Sequence, residues 1–107
     1  PQAPGMLLKH YSPRTPFYLT EDYLLTIKNM EEKKIGLLLF KQPEINLNIT
    51  QQEVLSVNGN LKEAASNLYA AMHRLDAANL DVIIAEKFPD DGIGKAINDR
   101  LERAAVR

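Results

Sequence analysis

The sequence predicts an α/β fold, on three observations. Two short runs, Ile35-Gly-Leu-Leu-Leu-Phe40 and Val82-Ile-Ile-Ala85, are apolar throughout, as expected of strands covered on both faces. Between them lies a helical pattern in which Leu61, Ala65, Leu68, Met72 and Leu75 recur at spacings of three and four. Strand-like and helix-like segments alternate along the chain, which implies a mostly parallel sheet with right-handed crossovers.

Taken in order, residues 1–16 read as an extended arm. Pro1, Pro4, Pro13 and Pro16 are four of the six prolines, and each fixes its own φ and biases the residue before it away from the helix. The arm carries Lys9 and Arg14 and no acid, since the first carboxylates are Glu21 and Asp22. Met6, Leu7, Leu8, His10 and Tyr11 lie among these residues, whereas a plain tether is rich in Gly and Ser or in charge. Such an arm is suited to contact another body, and it is expected to move freely where that body is missing.

Phe17–Leu19 is a short apolar strand, and Thr20 followed by Glu21 and Asp22 reads as the start of a helix running to about Met30. The strand Ile35–Phe40 is central. Residues 41–52 read as irregular around Pro43, and a short strand is expected at 53–57. Asn58-Gly59-Asn60 breaks it, with Asn60 as cap and Glu63 as its capping-box partner for a helix from Leu61 to about Ala78. Asn79 suits a left-handed terminator. After the strand at Val82, Pro89-Asp-Asp-Gly92 turns the chain into a last helix with Ile93, Ile97, Leu101 and Ala104 facing inward. The expected architecture is a small Rossmann-like three-layer α/β/α domain over 17–107, preceded by the proline-rich arm at 1–16.

Composition narrows the function classes. Among 107 residues, 45% are hydrophobic and 25% charged, as in an ordinary globular domain, and the formal charge is −1. Bulk attraction to nucleic acid or to an anionic membrane is not supported. With no cysteine there is no disulfide framework and no thiol chemistry, which fits the cytoplasm. No run approaches the roughly 18 apolar residues of a membrane span. The chain opens on Pro1 rather than Met, which suggests a piece of something longer.

Few residues invite a chemical reading. Gly92-Ile-Gly94 opens a helix after a strand, as a phosphate-binding turn would, but Asp90 and Asp91 stand beside it and Ile97 occupies the third glycine position of G-x-G-x-x-G. Capping and close packing are the better reading. Glu86 stands at the carboxyl end of a strand, where open α/β sheets place their ligand crevice; a surface hydrogen bond or an interdomain contact is the competing role. Arg100 belongs to a charged helix face with Asp99, Glu102 and Arg103. His73 lies off the apolar stripe with no metal-ligand spacing beside it, so neither a metal site nor a catalytic constellation is expected. His10 and Tyr11 suit either stacking and hydrogen bonding to a polar ligand or packing of the arm on the body.

The order and spacing of several elements resemble a known family. Pro4-Gly5-Met6, Lys9-His10-Tyr11-Ser12-Pro13, Asn60-Leu61 with Glu63-Ala64-Ala65, Asn67-Leu68-Tyr69, Phe88-Pro89, Gly92-Ile93-Gly94 with Ala96, and Arg100-Leu101 with Ala104-Ala105 are similar to the linker and C-terminal domain of two-domain threonylcarbamoyl-AMP synthases. The resemblance covers essentially the whole chain. It implies an accessory domain of an enzyme that condenses threonine, bicarbonate and ATP, with Mg, into threonylcarbamoyl-AMP and pyrophosphate for the t6A modification of tRNA. The catalytic residues would lie in an N-terminal domain outside this chain, leaving the chain without activity or cofactor of its own and touching tRNA only indirectly. It also implies that Pro4, Gly5, Met6, Lys9, His10 and Tyr11 cross the mouth of the catalytic pocket. Leu7 and Leu8 depart from the basic and the aromatic or polar residues common there, which leaves Lys9 as the electrostatic partner. Glu86, Gly92, Gly94 and Arg100 remain as ligand or interdomain contacts. Two other classes stay open: an independent nucleotide-binding module, and an interaction or dimerisation domain that uses the fold only as a scaffold.

Overall fold

A computed structural model describes residues 12–32 and 34–105. Four strands, β1 (Phe17–Thr20), β2 (Ile35–Leu39), β3 (Gln51–Val54) and β4 (Val82–Glu86), form one sheet in the order β1-β4-β2-β3. Every pairing is parallel. Three helices, α1 (Tyr23–Lys28), α2 (Leu61–Asp76) and α3 (Ile93–Ala105), complete the fold.

The side-chain period of two divides the apolar strands between two layers. Ile35, Leu37, Leu39, Val82 and Ile84 face one side, where Tyr23, Ile27 and Met30 cover them. Leu38, Ile83 and Ala85 face the other, against Leu68, Met72 and Leu75 of α2 and Ile97 and Leu101 of α3. Helices thus lie on both faces, as a continuously apolar strand requires. α2 packs on β2 and β3, and α3 packs on α2 and β1.

Several local expectations move. Asp22, not Thr20, caps α1, its carboxylate accepting the Leu25 amide at 3.1 Å. Thr20 ends β1 instead, and its hydroxyl accepts the Asp22 amide. α1 stops at Lys28 rather than Met30. β3 starts at Gln51 rather than 53, because an edge strand holds its place through backbone bonds and can carry polar side chains. The expected pairing does continue past it, with the Leu55 and Ser56 amides donating to the carbonyls of Leu39 and Phe40. On α2 the buried row is Ala64, Leu68, Ala71, Met72 and Leu75, and Ala65 faces solvent. Ile93 is exposed as well, being in the first turn of α3 before the helix meets the core.

The start of α2 shows a relayed capping box. Asn60 Oδ1 accepts the Glu63 amide at 2.9 Å. Glu63 does not return to the Asn60 amide; Ser56 Oγ accepts that amide at 2.9 Å and donates to the Glu63 carboxylate. Asn79 adopts φ 58, the left-handed conformation that ends the segment after α2.

Candidate functional site

In a parallel sheet joined by helical crossovers, α2 must run antiparallel to the strands. Its first residue lies at the carboxyl end of the sheet and its last, Asp76, at the amino end. α3 starts at the carboxyl end likewise. Of the described site residues read from the sequence, Glu86, Gly92 and Gly94 therefore lie at the carboxyl end, and Arg100 lies further along α3.

At the carboxyl end the connections from β2 and β4 leave in opposite directions, toward β3 and toward the α3 layer over β1. Such a reversal opens a crevice. It is a cleft of about 250 Å³ lined by Tyr23, Phe40, Lys41, Gln42, Glu86 and Lys87. Glu86 lies in it as expected, but its carboxylate spans the crevice and accepts the Phe40 amide at 2.7 Å, capping the end of β2. Tyr23 donates its hydroxyl to Glu44 at 2.7 Å. Burial, then this bond to Glu44, pushes the phenol up to about 12, and the same bond holds the Glu44 carboxyl below its ordinary value. The Phe40 and Phe88 rings meet with centroids 5.1 Å apart, and the Lys41 ammonium lies 6.0 Å from the Phe40 centroid.

Gly92 and Gly94 also lie at this end, and their geometry favours packing over anion binding. Gly92 has φ 56, which a side chain strains. A Cβ on Gly94 would stand 1.8 Å from the Pro89 carbonyl oxygen, so the helix start is wedged against the turn before it. The amides of Gly94 and Lys95 already donate to the carbonyls of Asp91 and Gly92. Asn98 fastens the same turn one helical turn further on, its side chain bonding both backbone groups of Phe88. Nothing in the sequence singled Asn98 out, although a polar residue beside Ile97 on the inward face of α3 is the available signal.

Arg100 is not part of this group. It sits two turns along α3, where burial pushes its guanidinium below the ordinary value, the charge of Arg103 adds to that, and Tyr69 of α2 opposes it. Among the described residues no group of three or more His, Asp or Glu side chains could hold a metal ion.

At the amino end stands a feature the sequence did not disclose. Asp76 accepts the Arg14 amide at 3.1 Å, the Thr15 amide at 2.9 Å and the Thr15 hydroxyl at 2.8 Å. Pro13 and Thr15 are buried. Pro4, Gly5, Met6, Lys9, His10 and Tyr11 lie outside the described residues.

The family model for the C-terminal domain of threonylcarbamoyl-AMP synthase matches residues 1–106. The chain belongs to this family. The synthase of Bacillus subtilis is 31% identical over 111 residues, covering 98% of this chain and 32% of that protein. A crystal structure of Pyrococcus abyssi Sua5 complexed with L-threonine superposes with a TM-score of 0.69 at 23% identity, over 90% of this chain and 29% of that one. A P. abyssi Sua5 variant with a His and the following Tyr both changed to Ala gives a TM-score of 0.66 at 19% identity, over 94% and 34%. This synthase C-terminal domain therefore spans about a third of the length of the curated relatives it matches. No described helix is long and apolar enough to cross a membrane.

Proposed function

We propose that this synthase C-terminal domain is the accessory domain of a cytoplasmic threonylcarbamoyl-AMP synthase, and that its arm closes over the active site of an N-terminal catalytic domain. That domain would bind threonine, bicarbonate and Mg-bound ATP and release pyrophosphate, and the product would serve tRNA modification. The family match from the first residue through the last helix carries the reading, because arm and body belong to one pattern. The bound threonine named for the P. abyssi protein supports the substrate class. His10-Tyr11 is the single His-Tyr pair in this sequence, and a His-Tyr pair is what the P. abyssi variant alters.

The arm's chemistry suits the task. Its prolines limit the conformations lost on docking, Met6 and Tyr11 can exclude water, Lys9 can meet phosphate, and His10 and Tyr11 can hydrogen-bond or stack over the intermediate. Two roles remain for the body: it holds the arm, and it presents surfaces to the catalytic domain. In the full-length protein, replacing His10 and Tyr11 together by Ala should lower steady-state pyrophosphate release while a thermal melt of the C-terminal domain stays unchanged. Unaltered kinetics would remove the covering role, and a lost melt would make the pair packing residues. The chain by itself should release no pyrophosphate from ATP, threonine and bicarbonate; release above the enzyme-free rate would refute the accessory role.

A further inference from the structure

We infer that Asp76 is the anchor that fixes where the arm leaves the domain, and through the arm a positioning residue for the reaction on the catalytic domain. This rests on the reading of the arm just given.

Asp76 is the last residue of α2, where the negative end of the helix dipole disfavours a carboxylate. The last turn otherwise carries His73 and Arg74, the types that complement that end. Donors from the end of the arm offset the misplaced charge, among them the Arg14 amide, the Thr15 amide and the Thr15 hydroxyl. Arg14 reaches both oxygens, at 3.1 and 3.2 Å. Bonds from two successive amides to one carboxylate fix the backbone direction, which a bond to a flexible side chain would not do.

The surroundings stiffen this clasp. Pro13 and Pro16 bracket it, each with a fixed φ. Pro13 is among the fully buried residues, and Thr15 is 9% exposed. Pro16 is tied to the sheet, its carbonyl accepting the Ile83 amide at 2.8 Å. Arg14, Thr15 and Pro16 therefore lie at the foot of β1, at the amino end of the sheet, and not at the crevice at the other end.

A cover acts at a pocket with a local concentration set by its pivot. A pivot released from Asp76 would let the arm explore a larger volume, spend less time in register over the pocket, and lose orientation that catalysis needs within about 1 Å.

The test uses the full-length protein with Asp76→Ala, Asp76→Asn and Thr15→Val. Hydrogen–deuterium exchange reads the clasp, steady-state pyrophosphate release reads kcat and KM for ATP, and a melt reads folding. For Asp76→Ala we expect exchange at the Arg14 and Thr15 amides to quicken and kcat/KM to fall, each about tenfold, since hydrogen bonds to a charged group are of that strength. Exchange at the central amides of Leu37 and Ile84 should not change. Asp76→Asn keeps one acceptor oxygen and should lie between; Thr15→Val loses one donor and should lie nearer the parent. If Asp76→Ala does not fold, Asp76→Asn decides in its place. Unchanged exchange would overturn the anchor, and faster exchange with unchanged kcat and KM would overturn the positioning role. The His10 and Tyr11 double variant separates the two levels: if it is impaired while Asp76→Ala turns over normally, only this inference falls, and if it is unimpaired, the covering role itself falls.

Discussion

Asn98 grips Phe88 by both ends of its backbone, accepting its amide at 2.8 Å and donating to its carbonyl at 2.9 Å, with only 2% of Asn98 exposed. The side chain reproduces a strand partner for a residue that has just left β4. Asn98→Ala leaves two buried backbone groups unsatisfied and should cost about 2 to 4 kcal/mol. Asn98→Leu should do no better, because the orphaned groups remain. Urea denaturation checks both; a loss below 1 kcal/mol would mean that water or a shifted turn replaces the clamp.

The two glycines of the same turn should separate by mechanism. Gly92→Ala meets open space but a positive φ, and should cost about 1 to 2 kcal/mol. Gly94→Ala drives a methyl into the Pro89 carbonyl and should cost about 3 kcal/mol, as overpacking does. Equal losses in denaturation would show that the wedge relaxes freely.

Leu68 and Met72 lie on the buried row of α2, and truncation of either to Ala should cost about 2 to 5 kcal/mol through lost transfer energy and an unfilled cavity. Lys62→Ala, on an exposed position, should stay within about 0.5 kcal/mol. Similar losses at both kinds of position would reassign the face of the helix.

Tyr23 and Glu44 should titrate as a pair. The Tyr23 phenol goes from an ordinary 10.0 to about 12, so the folded state holds its proton more tightly than the unfolded chain does. The stability this contributes is complete below pH 10 and is lost as pH rises toward 12. Glu44 is depressed, chiefly by the Tyr23 hydroxyl, so its contribution exists above the ordinary carboxylate range and disappears as pH falls through its folded value. In Tyr23→Phe, NMR titration of the Glu44 carboxyl should move up. An unmoved value would assign the depression to the backbone amides of Asn46 and Leu47 instead.

What the sequence made legible was whatever its periodicity carried. The runs at Ile35 and Val82 became buried parallel strands, the three-and-four spacing at Leu68, Met72 and Leu75 became the core face of α2, Asn60 capped its start, and Asn79 took the left-handed conformation, two residues beyond the Ala77 that caps the helix end. Ala65 was misplaced because alanine fits either face, and Ala64 and Ala71 filled the row instead. Gln51 and Gln52 hid the start of β3, since an edge strand needs backbone partners more than apolar side chains. The role of Asp76 was hidden because Arg14 and Thr15, which it holds, lie 62 and 61 residues away in the chain. Asn98 was hidden for a related reason: its bonds go to backbone groups, which no side-chain pattern reports.

The order β1-β4-β2-β3 carries a further consequence, in the sequence of events during synthesis. β1 is the first strand made, and its one neighbour in the sheet is β4, the last. Tyr18 and Leu19 therefore stay unpaired until Ile84 and Ala85 have left the ribosome, and the sheet closes only when the final strand slips between two that already exist. Contacts of such long range form slowly. Pro16 also gains its bond to Ile83 only then. A growing chain thus leaves Pro16 untied to the sheet until β4 has been made, and the bonds of Asp76 to Arg14 and Thr15 have that interval to form first.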